Sequence, residues 1–329
     1  MSHGVELGLV AVITAVTGEQ PRVLVVRGER DGEPALPTGT LDPASDRTLE
    51  LALRARVHDH SGLELGYVEQ LYTFGNRYRE PRERAGGARA VAVAYLALVR
   101  EARPAAGAGA TWRGWYEFFP WEDWREGRPE ILDSTIAPQL ERWVRSAADR
   151  AGTALRRERV DLGFGLHGAP WNPERVLDRF ELLYETGLVD EAWREGGGRG
   201  ETGPGAAVPA EVDPGVRLGV ALALDHRRIL ASSLGRLRGK LRYRPVVFEL
   251  LPRTFTLLTL QRTVEALAGR RLHKQNFRRL VEEAGLVEGT GRVASSTVGR
   301  PAELFRFRRD ALRERPAPGV ALPGLKTHG

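Results

Sequence analysis

Between Leu36 and Leu63 the chain reads LPTGTLDPASDRTLELALRARVHDHSGL, and this stretch constrains the fold more than any other. Leu49, Ala52, Leu53 and Val57 recur at helical spacing, so the segment forms an amphipathic helix with one apolar face for a core, and Ser-Gly-Leu follows its last turn. The polar face is poor in acid. Ala55, Arg56 and His60 accompany a single carboxylate, Asp59. Magnesium binds clustered hard oxygens, so a face carrying Arg56 in the middle is not a magnesium site. His58 and His60 do not replace the missing ligands, because helical residues two apart point in different directions.

The segment resembles the Nudix pattern Gx5Ex7REUxEExGU, whose glutamates hold divalent metal against a pyrophosphate. Anchoring on Gly62 and Leu63 places Ala55 and Arg56 at the RE pair, Val57 at the apolar position, and Asp59 and His60 at the EE pair. The interval from Gly39 to Gly62 is two residues longer than the pattern, so the first glutamate falls on Ser45 or Arg47. The helical frame is kept and the metal ligands are lost. That combination implies a fold shaped for nucleotide diphosphates without the chemistry to cleave them: no catalytic residue, no metal ligand and no cofactor is assigned.

The following run, GYVEQLYTFGNRYREPRERAGGARAVAVAYLALV, reads as two strands rich in β-branched and aromatic residues around a loop marked by Gly, Asn and Pro. It resembles the Nudix-like domain of NrtR-type transcriptional regulators. The matching parts are the strand Glu69 to Phe74, the loop Gly75 to Arg82 and the strand Val91 to Val99.

At 329 residues, two or more compact units are expected. There is no cysteine, which excludes disulfides, thiol catalysis and cysteine-ligated zinc. The first residues, MSHGVELGLVAV, lack the form of a signal peptide, and no apolar run reaches the roughly 20 residues of a membrane span, so a cytoplasmic protein is expected. Charge is uneven. Residues 216–316 hold 22 Lys and Arg against 9 Asp and Glu, a net of +13, which leaves −7 for the rest of a chain of net +6. A basic C-terminal unit on a mildly acidic one points to a polyanionic partner.

The expected class is α+β, in four stretches. Residues 1–150 read as a Nudix-like α/β/α sandwich: strands near Leu7 to Ala15 and Arg22 to Val26, the box helix, the two strands above, and a closing helix near Ile136 to Ser146. Residues 151–215 read as a helical insertion with a Gly/Pro-rich linker at 196–214. In the insertion Asn172 and Pro173 suit a helix start, Val176, Leu177, Phe180, Leu183 and Tyr184 share one face, and Gly187 suits its end. Residues 216–316 read as a winged helix and 317–329 as a disordered tail. In the former, Asp225 is placed to cap a long helix and Pro252 stops a short apolar one. Thr256 caps a third helix, a fourth follows after a short turn and closes at Gly285, and strands around Val287 and Phe305 form the wing.

This C-terminal stretch resembles the DNA-binding domain of the same regulators through Asp225, His226, Phe248 to Pro252, Phe255 to Leu257, Leu260, Gln261, Gly269, Arg270, Asn276 to Arg279 and the run GRPAELFRF from Gly299. Compact members largely lack the insertion from Trp112 to Val216, which points to the longer NadQ-type repressors of NAD biosynthesis.

On the fourth helix Phe277, Leu280 and Val281 turn inward, leaving Lys274, Gln275, Arg278 and Arg279 outward on the half that enters the major groove. Arg292, Ser295, Ser296, Thr297 and Arg300 are assigned to the wing, as phosphate or minor-groove contacts. For the ligand, Arg77, Arg79, Arg82 and Arg84 offer charge-assisted bonds to phosphate and Tyr72, Phe74 and Tyr78 a surface for a base, with Arg27 and Arg56 adding charge. His226, at a helix start, is read as a structural hydrogen-bonding residue, and His167 has no assigned role. The resemblance implies a homodimeric repressor of NAD synthesis or salvage genes. Its partners would be double-stranded operator DNA and an adenine nucleotide effector, ADP-ribose or ATP. An active Nudix pyrophosphatase fused to a DNA-binding domain is the alternative, and a winged helix used only for protein contacts is a third reading.

Overall fold

The computed structural model describes residues 4–28, 32–105, 109–195, 215–294 and 301–314. The linker at 196–214, the wing residues Ser295, Ser296, Thr297 and Arg300, and the tail at 317–329 lie outside them.

The chain opens with strands β1 (Val5–Thr17), β2 (Gln20–Arg27), β3 (Pro34–Ala35) and β4 (Thr38–Thr40), followed by helix α1 (Leu49–Ser61). Then come β5 (Tyr67–Phe74), the single turn α2 (Pro81–Arg84), β6 (Arg89–Leu98) and β7 (Ala110–Gly114). These seven strands form one sheet in the order β3-β2-β1-β6-β5, with β4 on β1 and β7 on β2. β1 and β6 run parallel through ten paired residues, from Val5 opposite Arg89 to Thr14 opposite Leu98.

Both faces of that central pair are buried. Along β1, Leu9, Ala11, Ile13 and Ala15 face one way, and they pack with Val93, Tyr95 and Ala97 of β6 against Ala52, Leu53 and Val57 of α1. The alternate residues Val10, Val12, Ala92, Ala94, Leu96 and Leu98 face the opposite layer. A period of two places successive side chains on opposite faces, so a strand apolar at every position demands a layer on each side. α1 is held as its sequence suggests: Thr48 accepts from Leu51 N, and Gly62 ends it in the left-handed conformation at φ 70°.

The second layer comes from the middle of the chain. It comprises α3 (Trp115–Phe118), a 3-10 turn Pro120–Glu122, α4 (Ala137–Arg145) entered through a π turn at Leu132–Ile136, α5 (Arg150–Phe164), α6 (Val176–Glu185) and α7 (Asp190–Glu195). α8 (His226–Tyr243) joins them, packing against α6 and over β1 and β5. The closing helix expected over Ile136 to Ser146 is α4 with its π turn. α6 starts at Val176, later than the Asn172-Pro173 signal, because Asn172 caps a preceding turn by accepting from Glu174 N at 2.9 Å. Val176, Phe180 and Leu183 are buried on the predicted face, and Gly187 follows the helix at φ 73°.

A 3-10 turn, Val246–Leu250, leads to the helix-turn-helix of α9 (Leu257–Ala268) and α10 (Lys274–Glu283), then the hairpin β8 (Val287–Val293) with β9 (Glu303–Phe307), and the short α11 (Ala311–Glu314). Thr256 Oγ1 accepts from Thr259 N at 3.0 Å and caps α9. The core is continuous from the second face of the sheet through α6 and α8 to Leu260, Val264, Phe277 and Val281. α8, placed by its sequence with the C-terminal unit, therefore joins the two halves. Asp225 does not cap it through its side chain, because its carboxylate is engaged elsewhere.

Candidate nucleic-acid interface and nucleotide pocket

The helix-turn-helix is braced at its turn by Glu265, which is 1% exposed. Its carboxylate accepts from Leu272 N at 2.9 Å, from Gln261 at 2.8 Å, and from Arg262 and Arg271. Burial alone would push that carboxyl up, yet these donors hold it below the usual carboxylate range. Gln261 also donates to Leu272 O, so Gln261 and Glu265 tie α9 to the turn that leads into α10. Sequence reasoning missed Glu265. The only signal was its i,i+4 spacing from Gln261.

On α10, Phe277 and Val281 are buried and Leu280 is half-buried, which turns Lys274, Gln275, Asn276, Arg278 and Arg279 to solvent. Arg279 donates to Glu283 at 3.1 Å. Lys274 and Arg278 have no hydrogen bond or ion pair among the described residues. Arg292 is exposed on β8 at the start of the wing tip. Phe248 stacks on Phe307 at 4.3 Å, and Phe255 bridges Phe305, so the wing is anchored to the segments ahead of α9.

At the box, α1 presents Ala55, Asp59 and His60 as exposed residues, while Arg56 is half-buried and donates to Asp46 Oδ2 at 3.1 Å. The same oxygen accepts from Asp42 N at 2.8 Å, and Asp42 accepts from Ala44 N at 2.9 Å and Ser45 Oγ at 2.6 Å. The longer loop is thus a closed hydrogen-bonded turn tied to Arg56. Ser45 and Arg47, the positions aligned with the first glutamate, flank the carboxylate that does this. Gly39 lies against the stem of Arg56, where a Cβ would sit 2.7 Å from Cγ. These residues do not fit a divalent cation: the carboxylate of Asp46 neutralises a guanidinium, and that of Asp42 is taken up by Ala44 N and Ser45 Oγ. Among the described residues no group of three His, Asp or Glu is placed to hold a metal.

The loop after β5 divides the remaining candidates. Arg77 and Arg84 lie 4.7 Å and 5.5 Å from the ring centre of Tyr78, a cationic and aromatic surface open to solvent. Arg82 donates to Glu6 at 2.9 Å, and Thr40 donates to the same carboxylate at 3.3 Å, which brings the loop beside β4. Tyr72 is 53% exposed and Phe74 half-buried. Arg27 is exposed at the end of β2, beside Gly32.

Arg79 departs from its expected role. It is 5% exposed at the side chain and donates through two nitrogens to Asp225, at 3.0 Å and 2.6 Å. Its guanidinium is therefore withdrawn from solvent. Next to Asp225, the buried His226 accepts through Nδ1 from Leu36 N at 3.1 Å. Burial pushes His226 down to about 4, and the neutral ring is the form that accepts this bond. Ala223 N donates to Pro34 O at 2.9 Å and Arg194 to the carbonyls of Leu222 and Leu224. The first turn of α8 is so clasped between the loop and the start of the box. Asp225 as partner of Arg79 left no local signal, since 146 residues separate them.

A sheet layered by a box helix on one face, joined through α8 to a basic winged helix, defines a Nudix-like fold carrying a winged-helix module. Residues 247–307 match the family of the NrtR DNA-binding winged helix domain, and over 93% of the chain the fold is similar to that of NrtR. NrtR of Shewanella oneidensis, in a crystal structure with a 27mer DNA, matches at TM-score 0.55 and 21% identity over 93% of this chain and 95% of that one. A MutT/nudix family protein of Enterococcus faecalis matches at TM-score 0.52 and 16% identity, over 94% and 88% of the two chains. In sequence, the ADPR responsive transcriptional repressor NtrR of Acinetobacter baylyi is 42% identical over 87 residues, 26% of this chain. That match spans about a third of the relative's length, 34%.

Proposed function

We propose that this chain is a DNA-binding transcriptional repressor of NAD synthesis or salvage genes, whose Nudix-like domain senses an adenine nucleotide and does not cleave it. The reading includes a cytoplasmic homodimer on a palindromic operator. The observation that carries it is the pair of cations Lys274 and Arg278, without partners among the described residues, on the outward face of α10 within a winged helix that matches the NrtR type. Arg can pair bidentately with guanine and Gln275 with adenine, while Lys274 and Arg292 grip phosphate. The ADP-ribose response named for the Acinetobacter relative is proposed for this chain too, with ATP as the other adenine nucleotide to be tried. Exposed Arg77 and Arg82 and the half-buried Arg56 supply charge for its phosphates, and Tyr72 and Tyr78 supply aromatic surface.

Titrating salt against binding to a fragment of the chain's own promoter tests the DNA half. Phosphate contacts predict an affinity that falls linearly on a log–log plot with a slope near −0.9 per neutralised phosphate. A flat response would assign the winged helix to protein contacts. Incubation with magnesium and ADP-ribose tests the other half, and turnover at ordinary enzyme rates would reassign the chain as a pyrophosphatase.

A further inference from the structure

The contact between Arg79 and Asp225 is buried, bidentate and placed between two functional regions. Arg79 belongs to the loop whose neighbours Arg77 and Arg82 are exposed, while Asp225 immediately precedes α8. Thirteen residues on, after roughly 20 Å of helix at 1.5 Å per residue, α8 meets the helix-turn-helix. There Arg238 donates to Leu267 O at 3.1 Å, in the last turn of α9. One rigid element thus touches the candidate ligand loop at its start and the DNA-binding helices near its end.

The backbone on both sides of the ion pair is held in an unfavourable region. Tyr78, next to Arg79, has φ 65°, and Leu224, next to Asp225, has φ 52°. Neither residue is glycine, and such conformations persist only where surrounding contacts impose them. Tyr78 is held by its N–H, which donates to Glu83 at 2.9 Å, and Leu224 by its carbonyl, which accepts from Arg194 at 2.7 Å. Breaking the ion pair removes a restraint on two strained turns at once. The other charged side chains of α8 hold it to different partners: Arg227 to Glu191, Arg228 to Glu181, Arg236 and Lys240 to Glu69, Arg238 to Glu122 and Arg242 to Glu174.

We propose that Asp225 occupies the anion site of Arg79 as an internal competitor, so that a phosphate-bearing ligand taking Arg79 displaces Asp225, frees the first turn of α8 and changes the setting of α9 and α10. This rests on the nucleotide-sensing reading above. It supplies what such sensing requires, because a ligand shifts an equilibrium only through different affinity for the two states, and Arg79 is open to an anion in only one of them. A neutral ligand does not substitute, since it would leave a buried guanidinium without a counter-charge.

The test uses the full chain, a labelled fragment of its own promoter, and ADP-ribose as probe. Asp225→Asn is expected to shift DNA affinity at least about fivefold without nucleotide, the lower end of ordinary coupling between sites, and in the direction in which ADP-ribose shifts the wild type. It is also expected to raise hydrogen exchange at both residues 75–84 and 224–229. Wild-type affinity with wild-type exchange overturns the proposal. If the wild type ignores ADP-ribose, the effector reading fails, and the nucleotide-free arm still decides the clasp. Should Asp225→Asn not fold, the double variant Arg79→Asp with Asp225→Arg restores the pair in reverse. It is expected to bind DNA and give no response to ADP-ribose, and a response of wild-type size overturns the proposal.

Discussion

The carboxylate of Glu122 and the guanidinium of Arg238 form an ion pair in which neither side chain is more than 2% exposed. Arg179, on α6, binds the same carboxylate through two nitrogens and is 0% exposed. The turn after the sheet, α6 and α8 therefore meet on one charge. Removing one partner of a buried pair leaves uncompensated charge at a cost of about 3–5 kcal/mol. Glu122→Gln should lose stability of that order in a denaturant titration. A loss below about 1 kcal/mol would mean that water reaches the triad.

Stability should also fall as the solution is acidified from neutrality toward pH 4, and His226 gives the sign. Its pKa is lowered from 6.5 to about 4 by burial, so between those values the unfolded chain binds a proton that the folded one does not. Stability from this residue is full above pH 6.5 and is lost progressively as pH falls to about 4, a total on the order of 3 kcal/mol. Below the unfolded carboxylate value of 4.5, Glu122 adds a second loss, since its two guanidinium partners hold it down against a burial that would raise it. His226→Asn should flatten the slope between pH 6.5 and 4 in thermal melts and leave the acid limb in place. An unchanged slope would put the titrating group elsewhere.

The elements legible in the sequence are those whose bonds are local. Thr48 and Thr256 cap helices three residues ahead of the amides they satisfy, and Gly62 and Gly269 end those helices at φ 70° and 68°. The two-residue alternation of β1 and β6 shows in burial on both faces. Asp225 shows where such reasoning stops. An aspartate before a helix reads as a cap, but a guanidinium 146 residues away is the stronger partner for its carboxylate. Glu122 shows the same limit, because partners 57 and 116 residues distant impose no periodicity on Pro-Trp-Glu-Asp-Trp. For the site, the outward face of α10 was readable from Phe277 and Val281, whereas the inward turn of Arg79 was not.

Gly39 offers a test of the box that spares the core. A methyl group there would meet Cγ of Arg56 at 2.7 Å and Cδ at 3.2 Å, so Gly39→Ala should push Arg56 away from Asp46. Arg56 is half-buried and its pair with Asp46 is partly solvated, so the stability cost should stay within about 1 kcal/mol. If Arg56 supplies charge to a bound diphosphate, affinity for ADP-ribose should drop by about tenfold or more in calorimetry, and Arg56→Ala should match it. Unchanged affinity in both would remove Arg56 from the pocket. Magnesium should not rescue either variant, because neither change supplies a carboxylate cluster.

Three arginines of the winged helix should separate by what holds them. Arg278 is exposed with no partner among the described residues, so its guanidinium is available to a base edge, and Arg278→Ala should cost about 1–3 kcal/mol of binding and relax sequence preference at one position. Arg279 is already engaged with Glu283 at 3.1 Å, and a contact to DNA would first have to break that pair, so Arg279→Ala should cost less. Arg292 stands at the tip end of β8 in the wing, where a phosphate contact predicts a uniform weakening across sequences and a salt slope reduced by about 1. Anisotropy titrations of the three variants against a promoter fragment and a scrambled one, each at several salt concentrations, measure all of these quantities. If Arg279→Ala proves the more damaging of the two helix variants, α10 enters the groove rotated by about one residue, and the side chains facing the bases are those nearer Glu283.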